Sequence, residues 1–553
     1  MYFRNPEQEI RKKNYARYKQ MTARGFSIAE ETTVHQLYVI NEDPFGRAYY
    51  ERPLGQSVKR DPVTGALYTV EEWATKEFIV DNKAQLINKA SADLLLGKRL
   101  SVKWKEEDGV AEELDQWLEQ LITRNKYLTA MYEAAIRNSS LGDQFYEAYM
   151  EDGLVKFRYI NPYWVDIDHQ GFEVNYYEIA WEFEEDPLPQ AEREVRLFAR
   201  RRKTEYAQKK THYPGFIMKE LYVREGRSWK PVAYGSYPEN MIEVERALRS
   251  PHMQTFLEFD PWDPERNRES EDPRRIMVIV EYTGVDEPLL IHWPNYRMFD
   301  VYGVSDTGMI ESLQNAMNNR ETQLNDVLDK HADPSMYGDA SFLDEYGNLT
   351  MSGGGSRYFP VDAQGTPPGY LVWDSHLQES QDEIKRLYEA ICMNTEISPA
   401  LLGKDEGGIE SGRALMYKLI RSLAMKTRKE AYMNQAIVDM IRIGQKLRAV
   451  WGEATEDNPP QIEAAPRTDW EDEIYEPNIE VQSALPTDVR DIIEQVTKLV
   501  IGGVLTKATA LDIVEKYFDE IDVEQEAVRL AAERSLAAED EQRRAQDFLR
   551  GME

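Results

Sequence analysis

Apolar residues along this 553-residue chain fall into separable patterns, and each pattern predicts an element. Leu114, Trp117, Leu118, Leu121 and Ile122 recur at helical spacing and predict an amphipathic helix. "FYEAYMEDGLVKFRYI" sets two apolar and aromatic runs either side of Asp152-Gly153, a pair suited to a type I′ turn, and predicts a β-hairpin. Tyr177, Ile179, Trp181 and Phe183 alternate with polar residues, as a half-buried strand does. "RIMVIVEYTG" is a more continuously apolar strand, ended by Gly284.

After "HWPNYRMFDVYGVSD" the period changes. Ser305 or Asp306 is suited to cap a helix carrying Ile310, Leu313, Met317, Leu324 and Leu328, with Pro334 as its stop. Its opposite face is rich in amides: Asn315, Asn318, Asn319 and Asn325. About forty turn-rich residues follow, a length that predicts a small subdomain more than a plain loop. They include "SGGGS" from Ser352, "GTPPGY" from Gly365 and a short strand at "SRYFPV". Helical spacing returns at Leu377, Ile384, Leu387 and Ile391, so two helices flank a glycine- and proline-rich β module.

Next comes "SPALLGKDEGGIESGRAL", Ser398 to Leu415, with four glycines between Gly403 and Gly412. Leu415, Leu419, Leu423, Ala436, Met440 and Leu447 then keep the helical period, predicting a helix of about 35 residues and roughly 50 Å with Gly444 as its interior glycine. An acidic linker bearing prolines leads to "LPTD", where Thr487 or Asp488 caps a helix with Ile492, Ile493, Val496 and Val500. Gly502-Gly503 ends that helix and Thr506 caps the next. The charged, alanine-rich end suits an exposed helix, a coiled coil or a frayed tail.

Composition narrows the class. A chain of this length is too long for one core, and about two to four domains are expected. The 42% hydrophobic and 11% aromatic content is that of a folded protein. Cys392 stands alone, which excludes an internal disulfide framework, and its place on an apolar stripe predicts a buried structural thiol. Seven histidines show no HExxH-like pair, so neither a zinc site nor another metal or cofactor is expected. No apolar run is long enough to cross a bilayer, and the N-terminus has no apolar core of a signal peptide, so an intracellular protein without membrane contact is expected.

The formal charge is −32, from 67 basic and 99 acidic residues. Tight binding of DNA by its phosphates wants a basic face, so this chain either avoids nucleic acid or meets it without holding it. The one basic run, "ARRRKTEYAQKK" from Arg200 to Lys210, reads as a solvated loop or helix face, or else as a contact for nucleic acid or an acidic partner.

The glycine-rich stretch from Ser398 is not a P-loop. Asp405, not Ser or Thr, follows Gly403-Lys404, and no glycine stands five positions ahead of Gly403. Gly97-Lys98 is followed by Arg99 and also lacks its partner glycine. No G-x-S-x-G elbow is present, and no GxGxxG lies between a strand and a helix. The acidic groups Asp405-Glu406 and Asp469 to Glu473 could bind a divalent ion, but at this acidic content they read as solvated surface. Without a coherent catalytic constellation, the reading is a structural or interaction protein, not an enzyme.

Five patches together resemble the portal proteins of tailed double-stranded DNA bacteriophages, across about residues 85–530. They are "LLLGKRLSVKW", "GDQFYEAYMEDGLVKFRYINP", "YGVSDTGMIESLQNAMNNRETQLNDVLDKHADPSMYG", "SPALLGKDEGGIESGRALMYKL" and "IGGVLTKATALDIV". Their joint order and spacing carry the resemblance. It implies an α+β multidomain fold, the portal fold of wing, stem, clip and helical crown, assembling as a ring of about twelve copies around a central channel. The wing would be 1–304, the stem helices 305–333 and 376–397, and the clip 334–375. A tunnel loop at 398–411, a long wing helix at 412–450, an acidic linker at 451–483 and a crown at 484–553 would follow.

The resemblance also implies roles. Leu402, Gly403, Lys404, Asp405, Glu406, Gly407, Gly408, Ile409 and Glu410 would form the tunnel loop beside the moving DNA. Tyr337, Gly353, Gly354, Gly355, Arg357 and Tyr358 would serve the clip, which binds head-completion or adaptor proteins. A separate terminase motor would hydrolyse ATP, and major capsid and scaffolding proteins would surround the ring, in the host cytoplasm during assembly and in the virion afterwards. Twelve copies would carry on the order of −380 charges, which would keep double-stranded DNA sliding rather than bound. The alternatives are a metal-dependent nucleic-acid-processing enzyme and a capsid or scaffold protein that forms no ring.

Overall fold

The computed structural model describes residues 6–25, 39–42, 48–60, 67–96, 100–104, 108–151, 153–185, 204–226, 228–236, 241–250, 252–332, 336–339, 358–361, 367–370, 377–404, 412–452, 474–481, 489–502, 506 and 509–510. The chain is mixed α+β and divides into two compact units, residues 1–409 with 413–482, and residues 410–412 with 483–553.

The first unit opens with α1 (Pro6–Arg24) and the antiparallel meander β1 (Val39–Glu42), β2 (Ala48–Arg60) and β3 (Leu67–Glu77). Then come α2 (Lys83–Leu96), β4 (Leu100–Lys103), α3 (Asp108–Arg124) and α4 (Tyr127–Leu141). The expected hairpin is β5 (Asp143–Glu151) with β6 (Leu154–Ile160); Gly153 in its turn has φ 70°, and Asp152 lies outside the described residues. A run of strands follows: β7 (Val165–Gln170), β8 (Glu173–Glu185), β9 (Thr204–Tyr213), β10 (Phe216–Glu225) and β11 (Ser228–Pro231). After α5 (Met241–Arg249) come β12 (Met253–Glu258), β13 (Arg268–Glu269), β14 (Val278–Tyr282) and β15 (Leu290–Pro294).

The helix predicted after the "GVSD" segment is α6 (Asp306–Ala332). Three short strands, β16 (Met336–Asp339), β17 (Tyr358–Val361) and β18 (Gly369–Tyr370), form a small sheet in the order β17-β16-β18. Next are α7 (Leu377–Thr395), the 40-residue α8 (Gly412–Trp451) and β19 (Asn478–Val481), which returns to pair with β4. Helices α6 and α7 pack on one another. The second unit holds α9 (Val489–Ile501), where Val496 is buried and Ile501 exposed; Thr506 Oγ1 accepts from Thr509 N at 3.2 Å, the cap predicted for the next helix.

The main core sits where α3, α4, β5, β6, β15 and the C-terminal half of α8 meet. Trp117, Leu121, Met131, Tyr146, Trp293, Met433, Ile437, Met440 and Leu447 are all buried in it. The predicted helical faces of α3 and α8 are thus turned inward, as one-sided burial requires. Cys392 is buried on α7, and burial pushes its thiol up.

The eight-stranded antiparallel sheet corrects the reading of the basic run. Its order is β13-β12-β14-β10-β9-β8-β7, with β11 on β10, so Thr204 onward is an interior strand and not a solvated loop or helix face. Arg200 to Lys203 lie outside the described residues. Lys209 pairs with Glu178 at 3.0 Å and with Glu220 at 3.6 Å, and Lys210 lies 3.5 Å from Glu147. Lys209 meets carboxylates from its two neighbouring strands and Lys210 meets one from β5 of another sheet, which is how such charges are tolerated.

Glu147 and His212 face each other at 3.6 Å, and both are buried. Burial alone would push the Glu147 carboxyl up, but Lys210, His212 and Arg158 together bring it down to about 2. At neutral pH His212 is uncharged, because burial pushes its imidazole from 6.5 down to about 4 against the pull of Glu147. The cations at work there are therefore Lys210 and Arg158. A histidine with a depressed folded pKa contributes stability that is complete above pH 6.5 and is lost as pH falls through about 4. The expected loss over that window is up to about 3 kcal/mol, with Glu147 adding a second loss at still lower pH. Urea denaturation across pH 7 to 4 checks this: His212→Leu should flatten the decline above pH 4, and an unchanged slope in the variant would exclude His212 as its source.

Candidate functional site

Two glycine motifs singled out in the sequence lie against each other. Gly142 ends α4 in the left-handed region, φ 93°, and its N–H donates to Asn138 O at 2.7 Å. Gly303 of "YGVSD" crosses directly above it; a Cβ on Gly303 would stand 1.9 Å from the Gly142 carbonyl oxygen. Only glycine fits a crossing that close. The Gly142 carbonyl accepts from Asn295 N at 2.7 Å, and Gly303 N donates to Asp143 Oδ1 at 2.7 Å. Ser305 caps α6, its Oγ accepting from Gly308 N at 2.9 Å, which leaves Asp306 free for another role.

The two aspartates beside the crossing are fully buried and fully engaged. Tyr15 donates its hydroxyl to Asp143 Oδ2 at 2.6 Å, and His292 Nε2 lies 2.7 Å from Oδ1. An Arg297 N–H, which can only donate, lies 3.2 Å from His292 Nδ1. His292 Nε2 therefore carries the proton to Asp143, and burial keeps the ring neutral by lowering its pKa. Asp306 forms a buried ion pair with Lys429 of α8, accepts from Ser139 Oγ at 2.5 Å and from Asn295 Nδ2 at 3.2 Å. Lys429 Nζ also donates to Ser91 Oγ at 2.9 Å.

The buried face of α6 corrects a second expectation. An apolar stripe is ordinarily the packing face of a helix, yet Leu328 is exposed and Leu313 and Leu324 are only half-buried. Buried along with Ile310 and Met317 is a polar row: Thr307, Glu311, Gln314, Asn318 and Thr322. These side chains hold backbone. Thr322 Oγ1 accepts from Ile79 N at 3.0 Å, Asn318 Oδ1 from Asp81 N at 3.3 Å, and Gln314 Oε1 from Ala84 N at 3.2 Å. Gln314 Nε2 donates to Asp81 O at 2.6 Å and Asn318 Nδ2 to Gly25 O at 2.7 Å. The amides satisfy a stretch of chain that has no strand or helix partner of its own.

The opposite flank of α6 and the inner flank of α7 enclose a cleft of about 780 Å³, closed below by Ser398, Pro399 and Ala400. Of the expected tunnel-loop residues, Leu402 ends the 3₁₀ turn Pro399–Leu402, Gly403 follows with φ 75°, and Lys404 lines the cleft. Asp405, Glu406, Gly407, Gly408, Ile409 and Glu410 lie outside the described residues, as do Gly353, Gly354, Gly355 and Arg357 of the expected clip. Tyr337 is half-buried on β16, where it pairs with Phe359 and Gly369; Tyr358 opens β17 opposite Met336. Tyr337 is not among the described residues that line the cleft.

Within the cleft Lys404 Nζ stands 4.5 Å from the centre of the Tyr388 ring, and Lys83 Nζ 5.5 Å from it. Lys83 also pairs with Asp81 at 2.5 Å, whereas Lys404 makes no ion pair among the described residues. Burial, then Asp81, push the Glu321 carboxyl up, opposed by Lys83 and Lys404. The Tyr388 hydroxyl is buried with no oxygen or nitrogen partner among the described residues, only the Cys392 thiol beside it, and its pKa is raised by burial.

No family model matches this chain, and no curated protein matches it.

Sequence reasoning marked Lys404 through its Gly-Lys pair but missed Tyr388, Lys83 and Glu321, which reach the cleft from three other segments. It noted the "GD" and "GVSD" motifs but not that they touch. The available signal was that each carries a glycine with an aspartate close behind it, one residue on in Gly142-Asp143 and three residues on in Gly303 to Asp306.

The junction makes two expected outcomes measurable by urea denaturation. Asp306→Asn or Lys429→Met alone should each cost about 3–5 kcal/mol, because one buried polar or charged group loses its partner. The double variant Asp306→Asn/Lys429→Met should cost much less than the sum of the two singles; simple additivity would mean the pair is not coupled. Gly303→Ala should lose about 3 kcal/mol or more through the clash with Gly142, and a variant of near wild-type stability would contradict the crossing.

Proposed function

We propose that this chain is a portal protein of a tailed double-stranded DNA bacteriophage: a ring of copies around a channel through which the genome is packaged and later ejected. The observation that carries the reading is one succession of elements. Two helices, α6 and α7, pack together and flank the small sheet β17-β16-β18. The turn ending at Gly403 and the 40-residue α8 follow, and a separate C-terminal unit holds α9. In this reading the helix pair is the stem, the small sheet the clip, and the residues from Leu402 to Glu410 the tunnel loop.

Two surfaces suit such an assembly. Phe359 and Val361 lie exposed on one face of β17, as a docking edge for adaptor proteins would need. Met416, Tyr417 and Ile420 are exposed on the N-terminal part of α8, an apolar patch that a neighbouring copy in the ring would cover. The acidity of the chain suits passage of DNA, since a wall that lacks surplus cations releases few counterions and holds the duplex weakly.

Particle mass tests the reading. Light scattering with negative-stain imaging of the purified chain should find a closed ring with a central hole, of roughly 770 kDa for twelve copies of 64.3 kDa. A species that stays at 64.3 kDa across salt and concentration would count against it, and metal-dependent nuclease activity of that species would favour an enzyme instead.

A further inference from the structure

Trp262 is presented to solvent by a loop built to hold it there. It is 76% exposed, although an indole left in water forfeits burial that folding rewards. The loop fixes its backbone. Asp260 Oδ1 accepts from Trp262 N at 3.0 Å, Asn267 Oδ1 accepts from Asp260 N at 2.8 Å, and Arg266 pairs with Asp263 at 3.2 Å. The indole meets the Tyr213 ring edge to face, with centroids 6.1 Å apart, and Tyr213 stacks in turn on Phe216 at 4.9 Å. A fixed, exposed tryptophan on an aromatic base has the make-up of a binding hot spot.

Its surroundings are acidic. Residues 258–275 carry seven carboxylates against four arginines. Glu258, Glu265, Glu269 and Glu271 are exposed, with no ion pair among the described residues. Burial raises the Tyr213 pKa, and Tyr176, Glu220, Glu178 and Asp168 push it further, as a negative field does. Such a face selects a cation, and arginine above all, because a guanidinium can lie flat on an indole.

The longest unbroken run of cations in the chain is Arg200, Arg201, Arg202 and Lys203, which matches that face in charge. It joins β9 at Thr204, while Tyr213 ends β9 nine residues on, about 30 Å away at 3.3 Å per residue. The four residues before Thr204 extend at most about 14 Å, so the run of the same copy falls short of Trp262. We propose that Trp262 and its carboxylates receive the 200–203 run of a second copy, with one arginine on the open face of the indole and its neighbours paired with Glu258 and Glu265. The two faces differ and stand apart on one sheet. Each copy would therefore offer Trp262 to one neighbour and its basic run to the other, a head-to-tail contact of the kind that closes rings. The inference rests on the ring reading for the presence of a neighbour, and adds which surfaces meet.

Anisotropy of a labelled peptide with the sequence of residues 196–203, "RLFARRRK", titrated with the full chain, tests the contact itself. Binding should fall about tenfold or more in Trp262→Ser, as loss of a hot-spot aromatic does, and should weaken with salt. The indole is exposed, so this variant should keep wild-type thermal stability. No binding by the wild type, or binding that Trp262→Ser leaves intact, would overturn the proposal. So would equal binding of an unrelated peptide of the same charge, which would make the face a receptor for any basic partner. Light scattering tests the contact in the assembly. Arg200→Glu, Arg201→Glu and Arg202→Glu together should raise the concentration needed for assembly about tenfold, and Trp262→Ser should do the same. Assembly of both variants at wild-type concentration and salt would overturn this contact and leave the ring standing, whereas a wild-type chain that never assembles would sink both.

Discussion

The close crossing of Gly142 and Gly303 is the constraint on which the first unit depends. At this point the end of α4 and the approach to α6 share one space, with a carbonyl oxygen where a side chain would otherwise begin. Such a crossing exposes backbone groups that water cannot reach, and each must find a partner. Asn295 N and the Asp143 carboxylate supply them. Asp143 is thereby committed to a backbone N–H, and its remaining capacity draws in Tyr15 from α1 and His292 from β15. One steric fact therefore ties together four elements that are far apart in sequence.

Asp306 extends the same junction to α8 and answers a different problem. A 40-residue helix whose inner face is Met433, Ile437, Met440 and Ile441 is held there by apolar contacts, which are non-directional. The buried pair of Lys429 with Asp306 removes that freedom. Its desolvation is costly, so it adds little net stability over an apolar contact, but any slip would strand a charge in the interior. Lys429 also lies between the buried C-terminal half of α8 and its more exposed first turns, where Met416, Tyr417 and Ile420 face outward. The polar row on α6 follows the same logic. Leucines at Gln314 and Asn318 would bury as well but would not distinguish one register of residues 79–84 from the next.

Periodicity made much of the fold legible: α3, the β5–β6 hairpin, β8, β14, α6, α7 and α8 all lie where alternating or helical apolar spacing puts them. The misses share a cause. Pattern reading equates buried with apolar, so it chose the leucine stripe of α6 over Thr307, Gln314, Asn318 and Thr322. It also took charge to mean solvent, so Lys209 and Lys210 were read as solvated, although Glu178, Glu220 and Glu147 wait on other strands to pair with them. In the cleft, Lys404 could be seen from its local motif. Tyr388 could not, because nothing in "RLYEAICMN" distinguishes a tyrosine that carries a lysine on its ring from one that fills a core.

The use of lysines gives the acidic composition a more specific meaning. Lys209, Lys210, Lys219, Lys429 and Lys446 all pair with carboxylates inside the fold, so these lysines are consumed structurally. Lys404 is set differently: its ammonium lies 4.5 Å from the centre of the Tyr388 ring, with no ion pair among the described residues. Affinity for a polyanion grows with the number of phosphates neutralised at once. A surface offering isolated ammonium groups can therefore engage one phosphate at a time and let it go. If the chain is the DNA conduit proposed above, a wall of this kind would touch the duplex repeatedly without retaining it, which neither a uniformly acidic nor a basic surface would do.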